Sequence, residues 1–317
     1  MDEFEIIRQY FDRDTNDDSV IVGIGDDGAV TKPEAGRDLV IVVDTLVAGI
    51  HFPLSLSPLD IGYRAVAVNL SDIAAMAARP KWMTLALTLT ESDSSWLDDF
   101  AQGLFLAADE HGVVLIGGDT TRGNETVVTV QITGDVEAGA TLLRCGASAG
   151  ESIYVSGTVG DAAAGLSVLQ SGAPRNEDID YLVQRFSRPK ARVELGHTIA
   201  TVASAAIDLS DGLFTDVEKM LSASSVCGSI ELNQIPLSQQ LRRIMAPEDA
   251  LRFALGGGDD YELCFTSAAT EDDINELVGE CDVAVTCIGT VDEGEGLTCT
   301  IDGAAHDYRN DGYRHFH

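Results

Sequence analysis

Basic residues are scarce in this sequence. Its 317 residues include 20 Lys and Arg against 52 Asp and Glu, which gives a formal net charge of −32. A surface this negative repels the phosphates of nucleic acids and of anionic membranes, so neither is expected as a partner. The same charge repels ATP, and phosphate chemistry at such a protein therefore calls for a divalent cation.

Long apolar runs and closely paired cysteines are also missing. Hydrophobic residues make up 45% of the chain, yet no apolar run reaches the roughly 18 residues that span a membrane. The first five residues are acidic where a secretory signal is basic and then apolar, which indicates a cytoplasmic protein. The six cysteines begin at Cys145 without CxxC spacing, so we expect reduced thiols and not zinc ligands or disulfides.

The sequence is rich instead in aspartates that follow glycines or end apolar runs. The loop Gly23-Ile24-Gly25-Asp26-Asp27-Gly28 sets the pattern. Walker-type phosphate loops carry Lys and Ser or Thr after their glycines, so this acidic loop is not expected to bind phosphate directly. Taken alone it is an acidic surface turn or a Mg²⁺ site, and the recurrence of the pattern favours the metal. The same chemistry returns at five further places: Asp44, Asp72, Asp119, Asp208 with Asp211, and Asp259 with Asp260.

Three side chains in this pattern each have two interpretations. Asp72 lies in an apolar helix and needs a partner, because an unpaired buried carboxylate is costly; that partner is a metal or an arginine, Arg64 or Arg79. His51 contacts a ligand or caps a turn. Arg144 contacts a phosphate or forms a surface ion pair.

Hydrophobic periodicity predicts alternating helices and strands with a change of domain near residues 149–150. Residues 39–43 are uniformly apolar, which predicts a strand buried on both faces, and Asp161 is interpreted as a helix cap. The predicted helices cover residues 4–13, 58–78, 95–110, 162–169, 189–203 and 213–221, and the other predicted strands cover 82–89, 113–116, 127–132, 152–156, 205–207 and 263–266.

Several carboxylate sites without a protein nucleophile indicate phosphoryl transfer. No Ser-His-Asp or Cys-His arrangement is apparent. Several Mg²⁺ ions bridging phosphates catalyse such transfer mainly by positioning and by neutralising charge.

The acidic motifs, in order, resemble those of the thiamine-monophosphate kinase family, which belongs to the aminoimidazole ribonucleotide synthetase superfamily. They cover nearly the whole chain, and they read GIGDDG at 23–28, VDTLVAGIHF at 43–52, AVNLSD at 67–72, GGDTTRG at 117–123, IDLSDGL at 207–213 and GGDDYEL at 257–263.

The resemblance implies an α/β (α+β) fold of two domains, with an N-terminal mixed sheet that forms a dimer interface. Residues 1–148 would form the ATP- and Mg²⁺-binding domain, and residues 149–317 an α+β domain that completes the site. The implied reaction is ATP-dependent phosphorylation of thiamine monophosphate to thiamine diphosphate by direct in-line transfer, in a homodimer.

The resemblance also implies site residues by motif position. The implied magnesium ligands are Asp27, Asp44, Asp72, Asp119, Asp208 and Asp211; the ATP contacts are Gly118, Asp119, Arg144 and Ser210; the substrate contacts are His51, Asp259 and Tyr313. Two positions depart from the family pattern: Asp259 stands where Glu is common, and Val42 and Val43 stand where hydroxyl residues can occur.

Two alternatives remain at this point. One is another ATP-dependent member of the superfamily with a different acceptor, although this chain has neither a cysteine before Cys145 nor a C-terminal cysteine. The other is a non-catalytic acidic module that binds metal or nucleotide. The apolar setting of Asp72 and the presence of Arg144 argue against that module.

Overall fold

The computed structural model describes residues 1–13 and 17–308 of the chain. It divides into two compact units, the first made of residues 1–73 and 78–139, the second of residues 74–77 and the chain from Ala140 onward. Within the described residues, no helix has both the length and the apolar character needed to cross a membrane.

The N-terminal unit is built on a four-stranded mixed sheet, as predicted. Its strand order is β3-β6-β4-β5, with antiparallel pairs β3/β6 and β6/β4 and a parallel pair β4/β5. The strands are β1 Val20–Val22, β2 Val30–Thr31, β3 Arg37–Val47, β4 Arg79–Leu89, β5 Val114–Arg122 and β6 Val127–Glu137, and the helices are α1 Glu3–Ile6, a π-helical turn Ile7–Phe11, α2 Pro58–Ala75 and α3 Ser94–Glu110.

Strand β3 corrects one prediction, because it is buried on one face only. Val40 and Leu46 are buried, whereas Leu39, Ile41 and Val43 are 44%, 66% and 60% exposed. The strand is an edge of the sheet, and its outward residues are as apolar as its inward ones. A run that is apolar on both faces does not reveal which face is covered.

The helices of this unit lie close to their predicted positions. The N-terminal helix begins with a capping box in which Asp2 and Glu5 bond each other's backbone N–H, and it widens into the π-helical turn. Helix α2 ends at Ala75 and not near Ala78, since Ala77 adopts a left-handed conformation with φ 56°.

Strand β5 corrects a second prediction. The apolar run 113–116 predicts a strand that ends before the glycines, but the strand continues to Arg122. Gly117, Gly118 and Asp119 therefore lie within the sheet, paired with Thr84, Leu85 and Ala86 of β4. Their position is fixed by the strand ladder and not by a loop.

The C-terminal unit is α+β, as predicted. Seven strands lie in the order β13-β12-β9-β11-β7-β10-β8, antiparallel except for the pair β12/β9, and helix α7 packs on them through Leu213, Val217 and Leu221. The strands are β7 Ser152–Ser156, β8 Ala203–Asp208, β9 Cys227–Glu231, β10 Leu263–Ser267, β11 Val285–Asp292, β12 Gly296–Ile301 and β13 Ala304–His306, and the helices are α4 Asp161–Ser171, α5 Glu177–Ser187, α6 Val193–Ile199, α7 Leu213–Ser224, α8 Gln239–Ile244, α9 Pro247–Gly256 and α10 Glu271–Leu277, with a 3-10 turn Leu232–Gln234.

Candidate active site

A cavity of about 730 Å³ in the N-terminal unit brings together three predicted site residues, Asp27, Gly118 and Asp119. Its walls are the acidic loop 23–29, residues 115–120 of β5, Thr84 and Leu85 of β4, and part of the N-terminal helical segment. A smaller neighbouring cavity, about 400 Å³, shares only Thr120 with it and contains no predicted site residue. The larger cavity is thus the candidate nucleotide and metal site of this unit.

The acidic loop is shaped by its own backbone. Gly25 adopts φ 116°, which a residue with a Cβ rarely adopts. The Asp26 carboxylate accepts the backbone N–H of Asp27 at 2.8 Å. The antiparallel pair of β1 and β2 closes the loop at its base, and both carboxylates remain exposed to solvent.

Gly118 allows β5 to approach β4 closely beside this cavity. A Cβ on Gly118 would lie 1.9 Å from the carbonyl oxygen of Leu85, and its φ is 153°. Only a residue without a side chain fits there. Gly118 is itself exposed and lines the cavity, and the exposed Asp119 follows at once.

Asp44, Asp72 and His51 also belong to the N-terminal unit. Asp44 lies on β3 and Asp72 near the end of α2, both half-buried. Nδ1 of His51 accepts the backbone N–H of Val47 at 2.9 Å, so this side chain caps the turn after β3. This bond uses Nδ1 of His51, and the substrate contact of His51 stays a prediction.

Asp44 and Asp119 lie on opposite edges of the sheet. Strands β6 and β4 separate β3 from β5, and three strand spacings amount to about 14 Å. Among the described residues, no three His, Cys, Asp or Glu side chains come close enough to hold a metal ion. Within the N-terminal unit, Asp44 and Asp119 are thus too far apart to bind one ion.

The C-terminal unit brings four more predicted residues together: Asp208, Ser210, Asp211 and Asp259. Strand β8 continues to Asp208, one residue beyond the predicted strand 205–207, and α7 begins at Leu213, as the sequence predicts. Three backbone hydrogen bonds join the turn 208–212 to the segment 256–262: Asp259 N–H to Ser210 O and Tyr261 N–H to Leu209 O, both 2.9 Å, and Leu209 N–H to Glu262 O, 2.8 Å.

Asp211 is held in position by two residues of helix α7 that the sequence analysis did not single out. Asp216 accepts the backbone N–H of Asp211 at 2.9 Å. Lys219 contacts both carboxylates, at 2.5 Å to Asp211 and 2.9 Å to Asp216. Burial raises the pKa of Asp216, and the hydrogen bond and charge of Lys219 oppose that rise.

Arg144 lies on the segment beside β8. The carbonyl of its neighbour Leu143 accepts the N–H of Ala206 at 2.9 Å, and the Arg144 carbonyl accepts the Ser224 hydroxyl at 3.3 Å. The residue is exposed, which leaves its guanidinium accessible to a phosphate. Tyr313 lies outside the described residues.

A buried charged cluster lies behind the segment 256–262. Glu262 is fully buried and receives a two-pronged ion pair from Arg192, at 2.7 and 2.5 Å. It also accepts from Arg185 at 2.8 Å and from Ser156 at 2.5 Å. Burial alone would raise the pKa of Glu262, but the two arginines outweigh burial and lower it.

Asp260 performs the capping role that the sequence assigned to Asp161. Its side-chain oxygens accept the backbone N–H groups of Gly160 and Ala162, at 2.6 and 3.2 Å, at the start of α4. Asp161 instead accepts from the hydroxyls of Thr158 and Ser238, both at 2.5 Å. The cap is supplied from about 100 residues along the chain, so a reading of local sequence could not find it.

Comparison with known proteins decides which family these motifs represent. The thiamine-monophosphate kinase of Salmonella typhimurium is 44% identical over 319 residues, which cover 99% of this chain and 98% of that protein. The chain belongs to the thiamine-monophosphate kinase family.

The family assignment agrees in both units. Residues 25–136 match the AIR synthase related protein N-terminal domain, and residues 148–302 match the corresponding C-terminal domain. The crystal structure of thiamine-monophosphate kinase from Stenotrophomonas maltophilia superposes with a TM-score of 0.86 at 43% identity, covering 92% of this chain and 93% of that one. AaThiL complexed with AMPPCP and TMP superposes with a TM-score of 0.80 at 32% identity, covering 90% and 89%.

The sequence did not predict that the N-terminal helical segment forms a wall of the cavity. Phe4, Ile7, Arg8 and Phe11 line it, and three of them sit on the π-helical turn, a feature that recurs at functional sites. The helical spacing of the apolar residues was visible in the sequence, but nothing there indicated which cavity they face.

Proposed function

We propose that this protein transfers the terminal phosphoryl group of ATP to the phosphate of thiamine monophosphate, giving thiamine diphosphate and ADP. The observation that carries the proposal is the AaThiL structure, in which an ATP analogue, AMPPCP, and TMP are bound to one relative of the same fold. Two ligands bound together are what direct transfer requires. The retention of each acidic motif in this chain supports the same chemistry here.

Magnesium is part of this proposal. The carboxylates of Asp27 and Asp119 line one cavity with the exposed Gly118, and carboxylate oxygens together with substrate phosphates are the ligands Mg²⁺ favours. In the C-terminal unit Asp208 and Asp211 offer the same donors, and Asp44 and Asp72 complete the proposed set. Bound ions would neutralise the phosphate oxygens and orient them for reaction.

The chain's own residues would then bind and align the two substrates. Gly118, Arg144 and Ser210 are proposed to contact the nucleotide, and His51, Asp259 and Tyr313 the thiamine phosphate. An oxygen of the acceptor phosphate attacks the γ-phosphorus in line, the bond to the β–γ bridging oxygen breaks, and ADP leaves. No phosphoenzyme is needed, because the acceptor oxygen itself attacks the γ-phosphorus.

A homodimer is the third part of the proposal. The outward face of β3 exposes Leu39, Ile41 and Val43 on an edge strand, and proteins usually cover such an edge. Mg²⁺ binds oxygen at about 2.1 Å, so Asp44 and Asp119, about 14 Å apart in one sheet, cannot share an ion within a chain. A second copy with its β3 edge near β5 of the first would supply the missing carboxylate.

A coupled assay of ADP formation tests the proposed function. We expect Mg²⁺-dependent ADP release with thiamine monophosphate, none with thiamine, and thiamine diphosphate as product. Asp27→Asn should raise the Mg²⁺ concentration needed for half-maximal rate, whereas Asp99→Asn, a change at an exposed aspartate on α3, should not. ADP release that is independent of thiamine monophosphate would refute the proposed acceptor.

A further inference from the structure

We propose that the buried cluster of Arg185, Arg192, Asp260 and Glu262 is a positioning device for the acceptor site, holding Asp259 and Tyr261 in the conformation that recognises thiamine monophosphate. This inference rests on the proposed function of the segment 256–262. It concerns residues that do not themselves contact substrate in that proposal.

Among residues 259–262 of this segment, Asp259 is half-buried and the other three are buried. Asp260 and Glu262 are 2% and 0% exposed and point into the cluster. Asp259 directly follows Gly258 and is half-buried, and the hydroxyl of Tyr261 donates to the Asp259 carboxylate at 3.3 Å. Residues 260 and 262 therefore anchor the segment, while the buried Tyr261 holds the half-buried Asp259 carboxylate through its hydroxyl.

The anchored conformation is one that the free chain avoids. Asp259 and Tyr261 have φ values of 73° and 51°, in the left-handed region that is uncommon for residues with a side chain. Two such residues in one short segment persist only where the surroundings hold them. The surroundings here are the bond from Asp260 to the start of α4 and the ion pairs of Glu262.

The cluster is built to resist displacement. Arg192 donates to both carboxylate oxygens of Glu262, from Nε at 2.7 Å and from a terminal nitrogen at 2.5 Å. Such a two-pronged pair fixes the orientation of the carboxylate as well as its distance from the guanidinium. Gly157 leaves room for this carboxylate, because a Cβ there would lie 2.2 Å from Glu262 Oε1. A shift of Glu262 would also break its backbone bond to Leu209.

The turn that carries Ser210 has supports of its own. Strand β8 fixes Asp208 through its pairing with β10, and Asp216 bonds the backbone N–H of Asp211. Loosening the cluster should therefore disturb Asp259 more than Ser210. The acceptor site, and not the nucleotide site, should register the change.

Arg192→Lys is the variant that tests this inference. Lysine keeps the charge but cannot form the two-pronged pair. We expect the KM for thiamine monophosphate to rise about tenfold, which corresponds to about 1.4 kcal/mol, while the KM for ATP changes less than about twofold. Arg243→Lys, at an exposed ion pair with Asp178 on another helix, is the matched control and should change neither.

Tyr261→Phe, which removes only the hydroxyl that bonds Asp259, makes the test a double-mutant cycle. If the cluster acts through Asp259, the increases in KM for thiamine monophosphate should combine to less than their product, because both changes disturb one carboxylate. Increases that multiply would overturn the inference.

The outcomes separate this inference from the proposed function. Absence of wild-type turnover with thiamine monophosphate refutes the proposed function. Wild-type turnover with both KM values unchanged or equally raised in Arg192→Lys refutes the positioning role and leaves the function standing. If Arg192→Lys does not fold, Ser156→Ala is the substitute variant. It removes a hydroxyl that donates to Glu262 and accepts the N–H of Leu263. It should show the same selective rise, about threefold, and equal KM values for the variant and the wild type would refute the positioning role.

Discussion

Replacing Gly118 by alanine should destabilise the N-terminal unit, and Gly117 provides a neighbouring control. A Cβ at position 118 would lie 1.9 Å from the Leu85 carbonyl oxygen, whereas ordinary Cβ contacts begin near 3.4 Å, so β4 and β5 would have to separate by about 1.5 Å (3.4 − 1.9). A Cβ at position 117 meets nothing within 4 Å. Both glycines occupy the same strand.

The magnitude follows from two costs. Forcing an extra carbon into a packed site costs about 1 to 3 kcal/mol, and the φ of 153° at Gly118 adds about 1 kcal/mol for a residue with a side chain. Gly118→Ala should therefore lower the free energy of unfolding by about 2 to 4 kcal/mol. Gly117→Ala should change it by less than about 0.5 kcal/mol.

Tryptophan fluorescence reports on this unit alone. The chain has two tryptophans, Trp82 on β4 and Trp96 on α3, and both belong to the N-terminal unit. With a urea dependence of about 2 kcal/mol per molar, the midpoint of Gly118→Ala should fall by about 1 to 2 M. Equal midpoints for the two variants would refute the close-approach argument.

Two further predictions concern protons and subunits. Burial raises the pKa of Asp260 from 3.8 to about 8, so between these pH values the folded state holds a proton that the unfolded chain has lost. The free energy of unfolding therefore falls by up to about 1.4 kcal/mol per pH unit as the pH rises. Asp260→Asn should remove this pH dependence from urea unfolding between pH 6 and 8, and an unchanged pH dependence would contradict the assignment. Asp44→Asn and Asp119→Asn should each be inactive alone. Co-expressed with different tags and purified as a mixed dimer, they should regain activity, because one of the two sites then has both a native Asp44 and a native Asp119. No recovery would argue against a shared site.

The acidic motifs could be predicted because their signal is local. Asp27, Asp119 and Asp208 each follow glycines or an apolar run in the sequence, and the structure places them at a loop, in a strand and at a strand end. Residue chemistry and short-range periodicity carry this information. The family resemblance extended it to the whole site.

Long-range pairing could not be predicted in the same way. Glu262 meets Arg192 across 70 residues, and Asp260 meets Gly160 across 100, so nothing near either carboxylate indicates its partner. Sheet order is equally hidden: β3 is first of the four strands along the chain, yet its neighbour is β6. That order alone puts Asp44 far from Asp119.

The backbone bonds between residues 209–210 and 259–262 have a consequence for how acceptor preference can change. A main-chain hydrogen bond does not depend on the side chain its residue carries, so the side chain at position 259 can be exchanged while the register beside Ser210 is kept. The left-handed φ of 73° makes Asp, Asn and Gly the least strained residues at position 259, so Glu, which is common there in the family, carries more backbone strain. A substitution at position 259 alone could thus change which acceptor binds, while the turn that carries Ser210 keeps its backbone conformation.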